Sequence, residues 1–132
     1  MLVVEVVRGP QGEIRALKAR GHAGFSQRGS DIVCAGASAV LHAAALGVVK
    51  AAGLPAQVRA GEGHMEIELD CVEQGSSRDW DRGQAILEAA VLGVTAIAQQ
   101  YPQHVRVRER PPEKPGRVQA GAVPGHERGR RL

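Results

Sequence analysis

The sequence of 132 residues predicts an α+β fold with the element order ββαββαβ, in which two long amphipathic helices cover one face of a mostly antiparallel sheet. Two stretches carry apolar residues at helical spacing, and five shorter stretches carry the β-branched or alternating pattern of strands. Clusters of glycine and proline separate these stretches and mark the turns. Because 43% of the residues are hydrophobic, the chain can bury a core of its own, which excludes a wholly disordered protein.

The first two strands form a predicted hairpin. Residues 1–8 are mostly apolar and β-branched, and after a Gly-Pro-Gln-Gly turn residues 13–20 return as a second strand. The first strand is apolar on both of its sides, because Val3 and Val7 alternate with other apolar residues. An apolar side outside the core favours burial by a partner, so this strand favours a homodimer.

A loop and a long helix follow the hairpin. Residues 21–30 contain three glycines and a polar run, a composition that predicts a loop. Ser30 or Asp31 can cap the following helix, because either side chain can accept a hydrogen bond from an unpaired backbone N–H. An apolar stripe then runs at helical spacing until Gly53 and Pro55 end the helix.

The second half of the domain repeats the pattern of two strands and a helix. Residues 57–59 and 65–69 are predicted strands, and the second of them has an acidic outer side. Asp79 is the predicted cap of the second helix, and Pro102 stops it. Residues 104–108 form the last strand, whose basic outer side is expected to pair with the acidic strand.

The chain divides into a predicted domain at residues 1–110 and a predicted disordered tail at residues 111–132. The domain holds twelve basic and twelve acidic residues, so the net charge of +3 comes from the tail, which has five basic and two acidic residues. The balance in the domain argues against a broad phosphate-binding face. The tail is either a solvated extension or a weak electrostatic anchor to RNA, and no nucleic acid is expected to be required.

The residue counts exclude several other classes of protein. Three aromatic residues are too few for a single-stranded nucleic-acid platform built on stacked rings. Two cysteines are too few for a disulfide scaffold, and the histidines show no metal-ligand spacing. We therefore expect neither a metal nor another cofactor.

The sequence also predicts a cytoplasmic location. Residues 1–7 contain Glu5 and no basic segment, so they do not have the pattern of a signal peptide. The apolar stretch at residues 35–52 is interrupted by His42 and Lys50, which argues against a membrane span. In the cytosol the thiols are expected to stay reduced.

Cys34 is the most informative candidate residue, because it lies in the first turn of the predicted long helix. Exposed N–H groups and the helix dipole favour an anion there, so the position suits a thiolate nucleophile. The backbone N–H groups of Cys34 and Ala35 are expected to hold the oxyanion that develops on a substrate carbonyl. The alternative is a small buried residue that fills a tight helix start.

His22 is the candidate base. It lies twelve residues before Cys34, at the end of the second strand, between Gly21 and Ala23. Small neighbours leave room for a substrate backbone, and the loop can return to place the imidazole beside the thiol. Such an imidazole can take the thiol proton and later give it to the leaving amine. The alternative is a loop histidine without a chemical role.

Three further residues have open interpretations. Asp31 is either a structural helix cap or a group that orients His22 or holds a substrate amide. Ser38, one turn after Cys34, either faces the same pocket or bonds back to the helix backbone. Cys71 follows a strand without a histidine partner in the sequence, which is typical of a structural thiol.

Two segments together resemble the ribosomal-processing cysteine protease family, Prp. The first is Gly-His-Ala at residues 21–23, and the second is Asp-Ile-Val-Cys-Ala-Gly-Ala-Ser-Ala-Val-Leu at residues 31–41. The resemblance covers residues 1–110 and leaves out the tail. It implies a protease with Cys34 as nucleophile and His22 as base, and it supports the same element order.

The resemblance also implies a biological role. The expected protein is a homodimer in the bacterial cytoplasm, and it removes a short N-terminal extension from the twenty-seventh protein of the large ribosomal subunit. Cleavage follows an aromatic residue, and the loop at residues 23–30 is mobile. Asp31 and Ser38 match positions associated with the active site, and Gly21 and Ala35 are expected to support it.

Two other functions remain open for the sequence. A non-catalytic ribosome-assembly adaptor would use the tail and the dimer surface, and its cysteine would be structural. A thiol redox sensor would pair Cys34 with Cys71, although no resolving cysteine lies near Cys34 in the chain.

Overall fold

The computed structural model describes residues 1–27, 30–70 and 77–111, and it confirms the predicted α+β fold. Two helices and five strands follow one another in the predicted order. They are β1 (Leu2–Arg8), β2 (Ile14–Arg20), α1 (Ile32–Leu46), β3 (Ala56–Gly61), β4 (His64–Leu69), α2 (Ser77–Gln100) and β5 (Val105–Arg110). Cys71 and residues 112–132 lie outside the described residues, so the structural thiol and the disordered tail stay predictions.

The five strands form one sheet in the order β3-β4-β2-β1-β5. All neighbours are antiparallel except β1 and β5, which are parallel, so the sheet is mixed but mostly antiparallel. The expected pairing of the acidic and basic strands is wrong, because α2 carries the chain across the sheet and β5 pairs with β1. The acidic β4 instead pairs with β3, where Arg59 forms an ion pair of 2.9 Å with Glu66.

The core lies between the helices and one face of the sheet. Alternate residues of β1, Leu2, Val4 and Val6, are buried there beneath the inner sides of both helices. The helices approach closely through glycine. A methyl group built on Gly47 would lie 3.1 Å from Ile86, so the absence of a side chain permits the contact.

The first helical stretch ends at Gly53 as predicted, but its last part is not α-helical. Its α-helical part stops at Leu46, a π-helical segment (Gly47–Ala51) continues it, and Gly53 turns the chain with a φ of +75°. The whole stretch Ile32–Ala51, with a mean hydropathy of 2.1, is long and apolar enough to cross a membrane by length and composition. Here Val48 and one side of the helix pack into the core, in agreement with its predicted role as a core helix.

The second helix begins two residues earlier than the predicted cap. Asp79 lies inside the first turn of α2, where a carboxylate interacts favourably with the positive end of the helix dipole. The helix ends at Gln100, and the hydrogen bond from the Leu2 N–H to the His104 carbonyl (2.9 Å) begins the pairing of β1 with the last strand. The same end of the sheet carries the candidate site.

Candidate active site

Two cavities meet at the start of α1, and they bring all six predicted site residues together. The cavities measure about 330 Å³ and about 580 Å³. Three residues line both: His22, Cys34 and Ser38. The smaller cavity also includes Gly21, and the larger one includes Asp31 and Ala35. These cavities are named the strand-side cavity (about 330 Å³) and the loop-side cavity (about 580 Å³).

The Cys34 thiol is half-buried in the first turn of α1, and the His22 ring is exposed just after β2. This exposure decides against the alternative of a cysteine buried within a tight helix start. Within residues 1–27, 30–70 and 77–111, no hydrogen bond joins the thiol to the imidazole. Hydrogen bonds between catalytic groups are often long in a substrate-free enzyme and shorten when substrate binds.

Asp31 caps α1 and also holds the loop before it. Its Oδ1 accepts a hydrogen bond from the Cys34 N–H at 2.9 Å, which confirms the cap interpretation. Its Oδ2 accepts from the N–H groups of Phe25 (2.9 Å) and Ser26 (3.3 Å). Desolvation opposes ionisation of this carboxyl, but the hydrogen bonds from Cys34, Phe25, Ser26 and Val33 outweigh it and lower the pKa.

The hydrogen bonds that cap α1 use the two N–H groups that were expected to bind the oxyanion. The Cys34 N–H already donates to the Asp31 side chain, and the Ala35 N–H donates to the Asp31 carbonyl at 3.0 Å. The prediction that these two groups stand free for a substrate carbonyl is therefore wrong for this arrangement. The physical reason is that a side-chain cap uses the same first-turn donors that would bind an oxyanion.

Two glycines fix the position of His22. The N–H of Gly21 donates to the carbonyl of Gly63 at 2.9 Å, which ties the end of β2 to the turn between β3 and β4. Gly63 has a φ of +72°, and a methyl group built on it would lie 3.0 Å from Nε2 of His22. The imidazole therefore packs directly against the Gly63 backbone.

His104 holds the other side of the His22 segment. Its Nδ1 donates a hydrogen bond to the carbonyl oxygen of Ala23 at 3.0 Å, and Ala23 is buried. The Phe25 ring meets the rings of Tyr101 and His104 edge-on, each with a centroid distance of 5.4 Å. The loop after β2 is therefore attached to α1 through Asp31 and to the start of β5 through His104.

The contacts of Gly63 and His104 with the His22 segment were not predicted from the sequence. Gly63 was recognisable as a turn residue, but its contact with His22 depends on the pairing of β2 with β4. His104 carried no local signal at all, because its partner Ala23 is brought to it by the parallel pairing of β1 and β5.

The Ser38 hydroxyl belongs to the site. It is exposed and borders both cavities, and among the described residues its Oγ makes no hydrogen bond. Its backbone carbonyl accepts a hydrogen bond from the His42 ring at 2.9 Å. The alternative that the Ser38 hydroxyl bonds back to the backbone is therefore not observed, and Ser38 borders the same two cavities as Cys34 and His22.

The described part of the chain holds no group of three histidine, cysteine or acidic side chains that could bind a metal ion. The alternative pairing of Cys34 with Cys71 concerns a residue outside the described residues. The polar side chains that line the two cavities are the Cys34 thiol, the imidazoles of His22, His42 and His64, the hydroxyls of Ser26, Ser30 and Ser38, and the Asp31 carboxylate.

The profile of the protein family described as Cysteine protease Prp matches residues 1–106. This chain belongs to the Prp family. It is a cysteine protease, and similar proteins include the ribosomal processing cysteine protease Prp of Bacillus subtilis, which is 26% identical over 107 residues, or 81% of this chain and 96% of the relative. The protein of the same name from Staphylococcus aureus is 24% identical over 107 residues, or 81% of this chain and 97% of the relative.

Two solved structures share this fold. The Prp protease of S. aureus, solved with a covalently linked product peptide, superposes with a TM-score of 0.75 at 25% identity. The alignment covers 83% of this chain and 100% of that one. SMU.848 from Streptococcus mutans has a TM-score of 0.64 at 27% identity, over 84% of this chain and 95% of its own.

Replacement of Asp31 tests its two attachments separately. Asp31→Ala is expected to lower the free energy of unfolding by about 1–2 kcal/mol, because the cap and the loop contacts are both lost. Asp31→Ser keeps a capping oxygen but cannot reach the loop, so it should recover most of this stability. The N–H groups of Phe25 and Ser26 should exchange with solvent at least about tenfold faster in both variants.

Urea unfolding and amide hydrogen exchange measure these two effects. Because the pKa of Asp31 is lowered in the folded state, its contribution is present above the unfolded-state pKa of about 4 and is lost as the pH falls below it. Equal exchange rates of the Phe25 and Ser26 N–H groups in wild type and Asp31→Ser would contradict the loop attachment.

Gly63→Ala tests the position of His22. The methyl group must displace the imidazole, so the rate at which Cys34 reacts with iodoacetamide is expected to fall several-fold. Gly53→Ala is the matched control, because Gly53 has nearly the same φ of +75° and no atom within 4 Å of the added methyl group. Both variants should lose about 1 kcal/mol of stability from backbone strain.

The reaction is followed by mass spectrometry of the Cys34 peptide, and stability is followed by urea unfolding. Slowed alkylation in Gly53→Ala to the same extent as in Gly63→Ala would show that the effect comes from strain and not from the imidazole.

Proposed function

We propose that this protein removes a short N-terminal extension from the twenty-seventh protein of the large ribosomal subunit. The similar proteins from B. subtilis and S. aureus are named ribosomal processing cysteine proteases, which supports a ribosomal-protein precursor as the substrate. The observation that carries the proposal is that Cys34, His22 and Ser38 border both cavities. An extended peptide can thus occupy one cavity with residues before the cleaved bond and the other with residues after it.

Cys34 is the proposed nucleophile. Within the described part of the chain it is the one cysteine, and it lies at the positive end of α1. The Cys34 sulfur gives its proton to His22 and attacks the carbonyl carbon of the scissile bond. The carbon–nitrogen bond then breaks, His22 donates the proton to the departing amine, and a thioester links the peptide to Cys34.

Water completes the reaction. His22, now neutral, takes a proton from a water molecule that attacks the thioester carbon. The carbon–sulfur bond breaks, the new carboxyl end of the extension leaves, and the thiol is restored by the proton held on His22. Gly63 and His104 position the imidazole for both transfers through the contacts described above.

Ser38 supplies a donor for the oxyanion in this proposal. The N–H groups of Cys34 and Ala35 are occupied, whereas Ser38 is exposed and lines both cavities together with Cys34. The positive end of the α1 dipole adds a favourable field for the negative charge. Asp31 acts indirectly, because its charge is used to hold the helix start and the loop.

We further propose a homodimer in the cytoplasm, formed through the helical side. Val3 and Val7 of β1 are only half-buried, but arginines flank them on the open face of the sheet. Larger apolar side chains are exposed on the helices, with Leu46 at 57% and Leu92 at 70%. A second copy of the chain that covered these apolar side chains would remove them from water, which favours a dimer. Sedimentation velocity tests the dimer, and cell fractionation tests the location.

Cys34→Ala is expected to abolish cleavage of the ribosomal-protein precursor, with a loss of at least about a thousand-fold, because among the described residues no other thiol borders the two cavities. Mass spectrometry of the precursor after incubation with the purified protein measures the cleavage and locates the bond. Cys71→Ala is the control and should retain activity. Cleavage by Cys34→Ala would refute the nucleophile assignment, whereas no cleavage of the precursor by the wild-type protein would favour the non-catalytic adaptor function.

His22→Ala is expected to slow alkylation of Cys34 near neutral pH, because the base that takes the thiol proton is absent. Alkylation rates measured from pH 5 to pH 9 give the profile. His64→Ala is a matched control, since His64 lines the strand-side cavity too and packs against Gly61. An unchanged profile in His22→Ala would exclude His22 as the base.

A further inference from the structure

The face of the sheet opposite the helices carries a local excess of positive charge. On β1 this open face displays Val3, Glu5 and Val7, which alternate with the buried residues of the core. The strands on either side, β2 and β5, extend the face, and paired residues of neighbouring strands point to the same side. The register of the three strands therefore shows which side chains share this surface.

Arginines flank β1 along this face. Arg20 of β2 and Arg106 of β5 lie on either side of Val3, and both are exposed. Arg108, also exposed, lies beside Glu5, and Arg110 lies beside Val7. These four residues, Arg20, Arg106, Arg108 and Arg110, are named the arginine face.

Little negative charge offsets the arginine face. Glu5 is the carboxylate that lies among the four arginines, and its nearest contact with Arg110 is 3.8 Å, at the limit of an ion pair. The Arg110 Nε has no hydrogen-bond partner among the described residues. Lys18, on the other side of Glu5, lies between Glu5 and Glu66 and is balanced by them. The balanced total charge of residues 1–110 thus conceals a basic half of one sheet face.

We propose that the arginine face binds the sugar–phosphate backbone of double-stranded RNA without reading its sequence. Guanidinium groups pair with phosphate in two-pronged geometry. Alternate residues of β5 place three of them about 6.6 Å apart in a row, and Arg20 lies about 10 Å from Arg106 across β1, as strand geometry requires. Regularly spaced cations match the regularly spaced phosphates of a nucleic-acid backbone.

The surface fits RNA better than an acidic peptide. Neither cavity of the candidate site includes an arginine of this face, so the face is separate from the surfaces proposed to hold the peptide. It carries no aromatic ring for base stacking either, so recognition is confined to the backbone and favours a duplex. The choice of RNA over other polyanions depends on the proposed function, which places the protein beside ribosomal components.

The position of the face relates it to the candidate site. Arg20 directly precedes Gly21 and His22, so RNA bound here lies at the active-site end of the sheet. The arginines themselves touch neither cavity, so RNA binding and peptide cleavage are separable properties.

The test is binding of a fluorescein-labelled 16-base-pair RNA duplex to the full-length protein at several salt concentrations. Replacement of Arg20, Arg106 and Arg108 by glutamine is expected to weaken binding at least about tenfold at 100 mM salt. The slope of log affinity against log salt should fall by about 2–3, because each lost phosphate contact removes roughly one unit. Thermal unfolding verifies that the variant remains folded.

The matched control replaces three cations of the helical segments, Lys50, Arg78 and Arg82, by glutamine and should bind the duplex within about twofold of wild type. A second variant, with the five basic residues of the tail replaced by glutamine, should retain most of the salt dependence. Equal binding by wild type and the arginine-face variant would overturn the proposal, as would displacement of RNA by polyglutamate at equal charge. A change from dimer to monomer without a change in RNA binding would assign the face to contacts between copies. None of these measurements requires cleavage, so they are independent of the proposed protease reaction.

Discussion

The carboxylate of Asp31 is the group on which the geometry of the active site depends. One of its oxygens fixes the first turn of α1, which holds Cys34, and the other fixes Phe25 and Ser26 in the loop that leads back to His22. The two halves of the thiol–imidazole pair come from separate elements, and one side chain joins those elements. The hydrogen bonds also keep this carboxyl ionised to lower pH than an ordinary aspartic acid.

The cap has a cost for catalysis, since it occupies donors that many nucleophiles at helix starts leave for the substrate. The structure offers a hydroxyl in the same space, and the dipole of α1 still acts on any negative charge near its first turn. Stabilisation of the oxyanion and rigidity of the helix start are thus assigned to different residues. This division explains why Ser38, one turn further along, remains free of other hydrogen bonds in the described part of the chain.

Local features were predictable from the sequence, and long-range contacts were not. The cap at Asp31 and the first-turn position of Cys34 follow from patterns within a few residues, and the spacing of strands and helices was sufficient for the fold class. The position of β5 was not predictable, because it depends on where α2 returns the chain to the sheet. The contacts of Gly63 and His104 with the His22 segment were not predictable for the same reason, because strand pairing brings these residues together. The positive charge of the open face was not predictable, because the net charge of residues 1–110 does not show how charges are divided between the two faces of the sheet.

The attachment of the His22 loop to the start of β5 has a consequence for the order of assembly during translation. His104 and Tyr101 are made after every other element that contacts the loop, and β1 gains its parallel neighbour only when β5 has emerged. A nascent chain that ends before these residues has the nucleophile and the imidazole but lacks one of the two contacts that hold them together. The contacts that hold the His22 loop are therefore completed last, when synthesis of residues 1–110 is almost finished.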